Sequence, residues 1–399
     1  MQSITERSLQ GTTVLLRVDF NVPMDDGRIL DDRRITAALP TLTYLHEHGA
    51  KTIIVTHLGR PKGASDPNLS TRPIAARASE LLHLPVLWVA DIVGEEAKAL
   101  HSVMQDGQFA MLENVRFDPR EEANDPAFAR ELASLADVFC NDAFGAAHRA
   151  HASTAGVASY LPSCAGLLLA QEIRVLTSLM TEPEHPFIAL LGGAKVSSKI
   201  PVLESLLHRV DAMWVGGAMA CTFLKAQGLG VGTSLVEDDQ LAQCQSIMDY
   251  ADAHDVALHL PLDVVVAPDI TSGDAARTVD VTDIPGDCAV FDVGPRTVDA
   301  MREELASCRT LVWNGPFGAY EHAPFEKATH RIGEACMSCH GTTVLGGGDA
   351  AAALEGEPCI AHFTHVSTGG GATLEFLEGR TLPGIAALEA APSEVVHQQ

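Results

Sequence analysis

Short runs of β-branched and other apolar residues alternate along this chain with longer stretches in which apolar positions recur every three or four residues. In the first half the short runs fall at residues 13–18, 52–56, 86–89, 109–112 and 137–141, each followed by a stretch of helical spacing. The rhythm resumes at 187–191, 212–215, 264–266, 289–291, 311–313 and 343–345. Apolar strands separated by amphipathic helices are the pattern of βαβ units, whose parallel sheets are covered on both faces. The expected fold is therefore α/β, with two doubly wound parallel-sheet (Rossmann-like) domains.

Residues 167–180 carry apolar positions at helical spacing around Gln171, Glu172 and Arg174, and Glu182-Pro183-Glu184-His185-Pro186 closes the stretch. This predicts a helical hinge over 167–182, between a domain of residues 1–166 and one beginning at 183. The length agrees, since 399 residues exceed what one hydrophobic core usually supports. Residues 369–378 open with glycines and continue as a second helix-like stretch.

A composition of 46% hydrophobic and 20% charged residues is that of an ordinary soluble α/β protein. The formal net charge of −25 argues against nucleic acid or an anionic membrane surface as a partner, because both demand a dominant positive footprint. The first residues lack the layout of a secretory signal, and no apolar run is long enough to span a bilayer, so a cytoplasmic location is expected. Nine cysteines, an odd number, then read as reduced and mostly buried thiols. Cys336-Met337-Ser338-Cys339-His340 matches a haem-attachment pattern, but in that setting it reads as structural thiols.

The charge makes the arginines informative. Arg34, Arg60, Arg116 and Arg149 all stand at or near the ends of strand-like runs in the first half, where guanidinium forks suit phosphate or carboxylate oxygens. Surface ion pairing is the alternative for any one of them. Asp19 and Asn21, two apart beyond the first strand, point the same way and either meet a hydroxyl or carboxyl ligand or form the turn. His57-Leu58-Gly59-Arg60 ends the next strand in a glycine-flexed loop. His148 and His151 lack a third donor and make a weak metal pair.

Glycine clusters follow the strands of the second half: Gly192-Gly193-Ala194-Lys195 leading to Lys199, Gly216-Gly217, Asn314-Gly315-Pro316 with Glu321 beyond it, Gly346-Gly347-Gly348-Asp349 and Gly369-Gly370-Gly371. The lysine loop lacks Walker spacing, and no strand runs into the dinucleotide-binding glycine pattern of a dehydrogenase. Several glycine tips after successive strands instead suggest an extended backbone cradle for a polyphosphate and its metal. A two-lobed solute-binding protein is the non-enzyme alternative, but it would need neither paired lysines nor a metal-binding aspartate.

Across long, separated blocks, among them residues 16–23, 57–61, 144–153, 192–199, 313–318, 346–349 and 367–372, the chain resembles the phosphoglycerate kinase family. That resemblance implies reversible phosphoryl transfer between 1,3-bisphosphoglycerate and ADP, giving 3-phosphoglycerate and ATP in glycolysis. It also implies hinge bending in a monomer whose chain end, 371–399, returns to the first domain, leaving 183–370 as the nucleotide domain. By the same resemblance, Asp19, Phe20, Asn21, Arg34, His57, Leu58, Gly59, Arg60, Arg116 and Arg149 surround the phosphoglycerate. Lys199, Gly217, Asn314, Glu321, Gly347, Gly348, Asp349 and Ala350 hold the nucleotide, with Asp349 at Mg²⁺. Arg34, Lys195, Lys199, Gly370 and Gly371 serve the transfer itself. Ala146 and Ala350 stand where the family often has a hydroxyl residue, and Ala218 where it often has glycine, so one hydroxyl contact to the nucleotide phosphates is in question.

Overall fold

The structure is a computed structural model that describes residues 1–392. The chain divides into two units, one formed by Met1–Arg174 together with the segment from Thr381 onward, the other by Val175–Arg380. Each unit is organised by a six-stranded sheet. In the first the strand order is Val86–Val89, Phe109–Leu112, Lys51–Val55, Thr13–Arg17, Val138–Asn141, Ser163–Ala165, and every pairing is parallel. Thr13–Arg17 is buried at all five positions because helices cover both faces, which explains its apolar stretch Val14-Leu15-Leu16. Chain order reverses beside this strand, leaving a crevice at its carboxyl end.

The sheet of the second unit runs Ala257–His259, Ala212–Val215, Phe187–Leu191, Thr310–Asn314, Thr342–Gly346, His365–Val366, again all parallel. Numbered by chain order within the sheet this is 3-2-1-4-5-6, with the reversal between Phe187–Leu191 and Thr310–Asn314. The sheets were expected from the apolar rhythm; their outer strands Ser163–Ala165, Ala257–His259 and His365–Val366 were not. These have two or three residues each, too few to show a period.

One expectation is corrected. The runs at 264–266 and 289–291 do not join the parallel sheet. Asp263–Ala267 pairs antiparallel with both Arg277–Asp280 and Ala289–Val293 in a separate three-stranded sheet. The stretch between the two runs holds a third strand, Arg277–Asp280, in place of the helix that a parallel crossover would use.

The predicted connector is the helix Leu167–Thr181. At its start the Leu167 N–H donates to Thr41 Oγ1 at 3.0 Å, and the Leu169 N–H to Asp142 Oδ1 at 3.0 Å, both within the first unit. Near its end Arg209 Nε donates to the Met180 carbonyl at 3.0 Å, within the second. The two units exchange the chain inside this helix, at Arg174 and Val175. The helix Gly371–Leu377 belongs to the second unit, so the return to the first begins at Thr381 and not at 371. There the helix Pro383–Glu389 docks, with the Gly384 N–H donating to the Ala147 carbonyl at 2.8 Å. Residues 393–399 of the expected tail lie outside the described residues.

All nine cysteines are free thiols, and all but the half-buried Cys339 are buried. Cys336 packs in the core of the second unit. Among the described residues no helix is long and apolar enough to cross a membrane.

A buried carboxylate helps to fasten the antiparallel sheet to the neighbouring helix Pro295–Leu305. Asp263, 2% exposed, accepts from the N–H groups of Arg296 at 3.1 Å and Thr297 at 2.9 Å, and from the Thr297 hydroxyl at 2.8 Å. It thereby caps the helix Pro295–Leu305 from another element. Asp263→Ala leaves those donors unpaired and should cost about 1–3 kcal/mol. Urea unfolding followed by circular dichroism would show an earlier transition; an unshifted midpoint would dismiss the cap.

Candidate active site

In the first unit, the loops beyond four neighbouring strands gather the predicted side chains at one sheet edge. Thr13–Arg17 leads into Asp19, Phe20 and Asn21; Lys51–Val55 into His57, Leu58, Gly59 and Arg60; Phe109–Leu112 into Arg116; and Val138–Asn141 into Arg149. Arg34, from the helix Arg33–Glu47, reaches Asp19 and ion-pairs with it.

The loop at Gly59 is over-determined. Its N–H donates to Asn21 Oδ1 at 2.8 Å, and its carbonyl accepts from Arg116 Nη1 at 2.7 Å. Its φ is +60°, and a Cβ there would lie 2.7 Å from Leu69. Asn114 holds both polar groups of the Leu58 backbone, at 3.2 and 2.8 Å. Phe20 and Leu58 are buried, and each donates its N–H internally, to Thr56 and to Asn114. They pack the floor, whereas Arg60 is exposed. Arg149 donates from Nε to His148 Nε2 at 3.1 Å.

The electrostatics of this edge follow from crowding. Burial, then the neighbouring Arg149, lowers Arg116 to about 10, which leaves it charged at neutral pH. Burial, then Arg17, Arg116, Arg149 and Arg34, holds His57 well below the usual histidine range. Arg17 Nη2 lies 3.1 Å from His57 Nδ1. A guanidinium can only donate, so Nδ1 accepts and the proton of the neutral ring sits on Nε2. The 3.8 Å approach of Asp19 Oδ1 to the same Nδ1 is then an unbonded one.

In the second unit a cavity of about 460 Å³ opens at the reversal point of the sheet. It is lined by Lys195, Lys199, Asn314, Gly347, Gly348, Asp349, Ala350, Gly370 and Gly371. Three helices begin at its wall: Ile200–Leu207, Gly348–Ala353 and Gly371–Leu377. The positive ends of their dipoles thus face the space where the lysines stand. Lys199 hydrogen-bonds Asn314 Oδ1, and this leaves the Asn314 amide nitrogen buried with no partner among the described residues. Burial lowers Lys199 to about 8, against the opposing pull of Asp349 and Glu378. Ala350 is buried at the wall and offers a methyl in place of a hydroxyl.

Gly217 and Glu321 do not line this cavity. Gly217 works beside it: φ is +67°, and a Cβ would stand 2.5 Å from the Gly193 carbonyl, so it lets two glycine loops pack backbone to backbone. Glu237 was not foreseen. It accepts from the Ser197 N–H at 2.9 Å and from the Ser197 hydroxyl at 2.5 Å, which pins the loop between the two lysines from forty residues away.

Two half-sites for anions, one on each unit, stand at the carboxyl ends of parallel strands. The family profile described as phosphoglycerate kinase matches residues 4–380. The chain belongs to the phosphoglycerate kinase family. It is 52% identical over 388 residues to phosphoglycerate kinase of Thermomicrobium roseum, covering 97% of this chain and 99% of that one. It is 50% identical over 387 residues to phosphoglycerate kinase of Pelotomaculum thermopropionicum, covering 97% and 98%. Among solved structures, phosphoglycerate kinase from Coxiella burnetii superposes with a TM-score of 0.88 at 40% identity, over 98% of this chain and 99% of that one. The enzyme from Pyrococcus horikoshii gives 0.86 at 33%, over 98% of each. The activity is that of a kinase of glycolysis, transferring a phosphoryl group between 1,3-bisphosphoglycerate and ADP.

Membership of a kinase family gives the lowered Lys199 a consequence. Phosphate oxygens brought beside it favour the ammonium and raise its pKa again. On the reading proposed below, in which ADP binds beside Lys199, binding at pH 8 should take up at most about half a proton, and affinity for ADP should fall as pH rises through about 8. Calorimetry in buffers of different ionisation enthalpy would measure this, with uptake near zero at pH 6.5 and removed in Lys199→Arg. Equal proton counts at both pH values would mean that the ammonium is unperturbed.

Proposed function

We propose that the first unit binds 3-phosphoglycerate or 1,3-bisphosphoglycerate and the second binds ATP or ADP with Mg²⁺, so that each half-site supplies one reactant. The observation that carries this reading is the cavity of the second unit, where two lysines, three helix starts and an orphaned Asn314 donor all present positive charge to one space. On this reading Asp19, Phe20, Asn21, His57, Leu58, Gly59, Arg60, Arg116 and Arg149 form the phosphoglycerate site. Gly217, Asn314, Glu321, Gly347, Gly348, Asp349 and Ala350 form the nucleotide site.

Mg²⁺ suits the donor set. Asp349 is an exposed carboxylate in the first turn of a helix at the cavity mouth, and no cluster of three protein ligands occurs among the described residues. Mg²⁺ is commonly held by one or two carboxylates with substrate phosphates and water completing the shell. When bound it neutralises phosphate charge.

Chemistry follows from ionisation states. The acceptor in the ATP-consuming direction is a carboxylate, already ionised at neutral pH, so no general base is needed. The work left to the protein is alignment and charge neutralisation of the transferring group, which we assign to Arg34, Lys195, Lys199 and the backbone at Gly370 and Gly371. In-line transfer needs reacting atoms within roughly 3–3.5 Å, and the two ligand sets belong to different units, so hinge bending about Leu167–Thr181 is part of the proposal. Small-angle scattering should give a smaller radius of gyration with both ligands bound than with neither; equal values would remove the hinge. The protein is placed in the cytoplasm as a monomer, and sedimentation above a single-chain mass would overturn the latter.

Arg34 and Arg149 separate chemistry from binding. Arg34→Ala should lower kcat by about 10²-fold, as loss of a charged transition-state contact does. Arg149→Ala should chiefly raise KM for 3-phosphoglycerate and leave KM for ATP unchanged. Steady-state kinetics on both variants decides it. A near-native kcat in the first would remove Arg34 from the transfer step, and a raised ATP KM in the second would put Arg149 at the wrong ligand.

A further inference from the structure

Behind the arginines of the first unit lies a buried carboxylate that the reading above leaves without a task. Glu121 is 0% exposed. Its Oε1 accepts from the Ser153 hydroxyl at 2.6 Å, and its Oε2 from the Ser153 N–H at 2.9 Å. Its own carbonyl accepts from the Ala152 N–H at 3.0 Å. Ser153 Oγ in turn accepts from Arg17 Nε at 2.8 Å, and Arg17, 1% exposed, reaches His57 Nδ1 through Nη2 at 3.1 Å.

The direction of every link in this chain is forced. The Ser153 hydroxyl has one hydrogen, and it is given to Glu121; its oxygen is then free to accept from Arg17. Arg17 has no acceptor, so His57 must accept at Nδ1 and present Nε2–H on its other side. A buried carboxylate carries a large desolvation penalty unless charge and hydrogen bonds compensate it. Burial pushes Glu121 up, while Arg17, both Ser153 hydrogen bonds and Arg116 pull it down. His151 Nδ1 stands 3.9 Å away, held below the usual histidine range by burial and by the same arginines. Cations crowded around Arg116 and Arg149 repel one another before any ligand arrives, and a buried negative charge beneath them lowers that cost without occupying the ligand's place.

We infer that Glu121 is a positioning residue of the phosphoglycerate half-site, acting through Ser153 and Arg17 to hold His57 as a neutral Nε2–H donor and to keep the guanidinium groups in place before the ligand binds. This rests on the reading that the first unit binds the phosphoglycerate. Glu121 and Ser153 belong to neither proposed ligand shell, so their loss should appear as weaker binding of one substrate.

The test uses Glu121→Gln, Ser153→Ala and the double variant of the full chain. Each single change should raise KM for 3-phosphoglycerate about tenfold, the scale of a lost hydrogen bond to a charged group. Values of kcat and KM for ATP should stay within about twofold. Because both residues belong to one chain of contacts, the double variant should be no worse than the poorer single one. Nitrogen-15 shifts of the His57 ring should report one tautomer in the natural protein and a mixture in the variants, a change that loss of packing alone does not produce. Ser153→Ala keeps the buried carboxylate and carries the test if Glu121→Gln does not fold. Unchanged KM for 3-phosphoglycerate, additive effects, or an equal rise in KM for ATP would each overturn the inference. Arg149→Ala separates the two failures: if it raises KM for 3-phosphoglycerate and the Glu121 variants do not, the inference alone falls, whereas no effect in Arg149→Ala removes the reading beneath it.

Discussion

Gathering positive charge at a few places in a chain of net charge −25 is the constraint on which the rest of this structure depends. Phosphate oxygens are attracted only where local cations overcome the surrounding acidic field, and such cations repel one another while no ligand is present. Both sheets solve the first problem alike, by placing loops beyond the carboxyl ends of neighbouring parallel strands. Where strands lie about 4.8 Å apart, residues remote in sequence such as Asp19, His57 and Arg116 are brought to one edge by the sheet itself.

The two units differ in how they make the positive surface. The first uses side chains, and planar guanidinium groups on loops fixed by Asn21, Asn114 and Gly59 give a directional pattern suited to a small ligand with phosphate and carboxylate at set distances. The second relies largely on backbone. Glycine loops at Gly192, Gly217 and Gly315 approach so closely that a Cβ would collide with the opposing main chain, and helix starts point at the space between. Backbone donors spread over a cavity wall suit a flexible polyphosphate better than a few fixed forks do.

Much of this was legible in the sequence, for reasons that can be named. Central strands such as Phe187–Leu191 are buried on both faces and so read as unbroken apolar runs, Thr13–Arg17 does so up to its closing arginine, and the arginines stood out against the acidic background. The antiparallel sheet around Asp263–Ala267 was misread because a local apolar run does not reveal its partner, and the stretch between the two runs holds a strand, Arg277–Asp280, in place of a crossover helix. Ser197 with Glu237 and Ser153 with Glu121 were out of reach for a different reason. Each contact joins residues more than thirty positions apart, and nothing in a lone glutamate of a polar stretch distinguishes a buried counter-charge from a solvated one. Gly217 is expected at the nucleotide and also lets two glycine loops pack beside the cavity, two roles that a glycine motif does not separate.

The choice of cation also decides how each half-site responds to acidity. A guanidinium lowered to about 10, as in Arg116, remains charged throughout the physiological range, and His57, held well below its usual value, remains neutral there. These two groups therefore keep one charge state across that range. Lys199 behaves differently because a lysine ammonium ordinarily titrates below a guanidinium, so burial brings it down to about 8. Asp349 and Glu378 oppose that shift without cancelling it. On the proposed reading, a lysine that is costly to keep charged in the empty cavity gains when phosphate oxygens arrive beside it, because they favour the ammonium that burial disfavours.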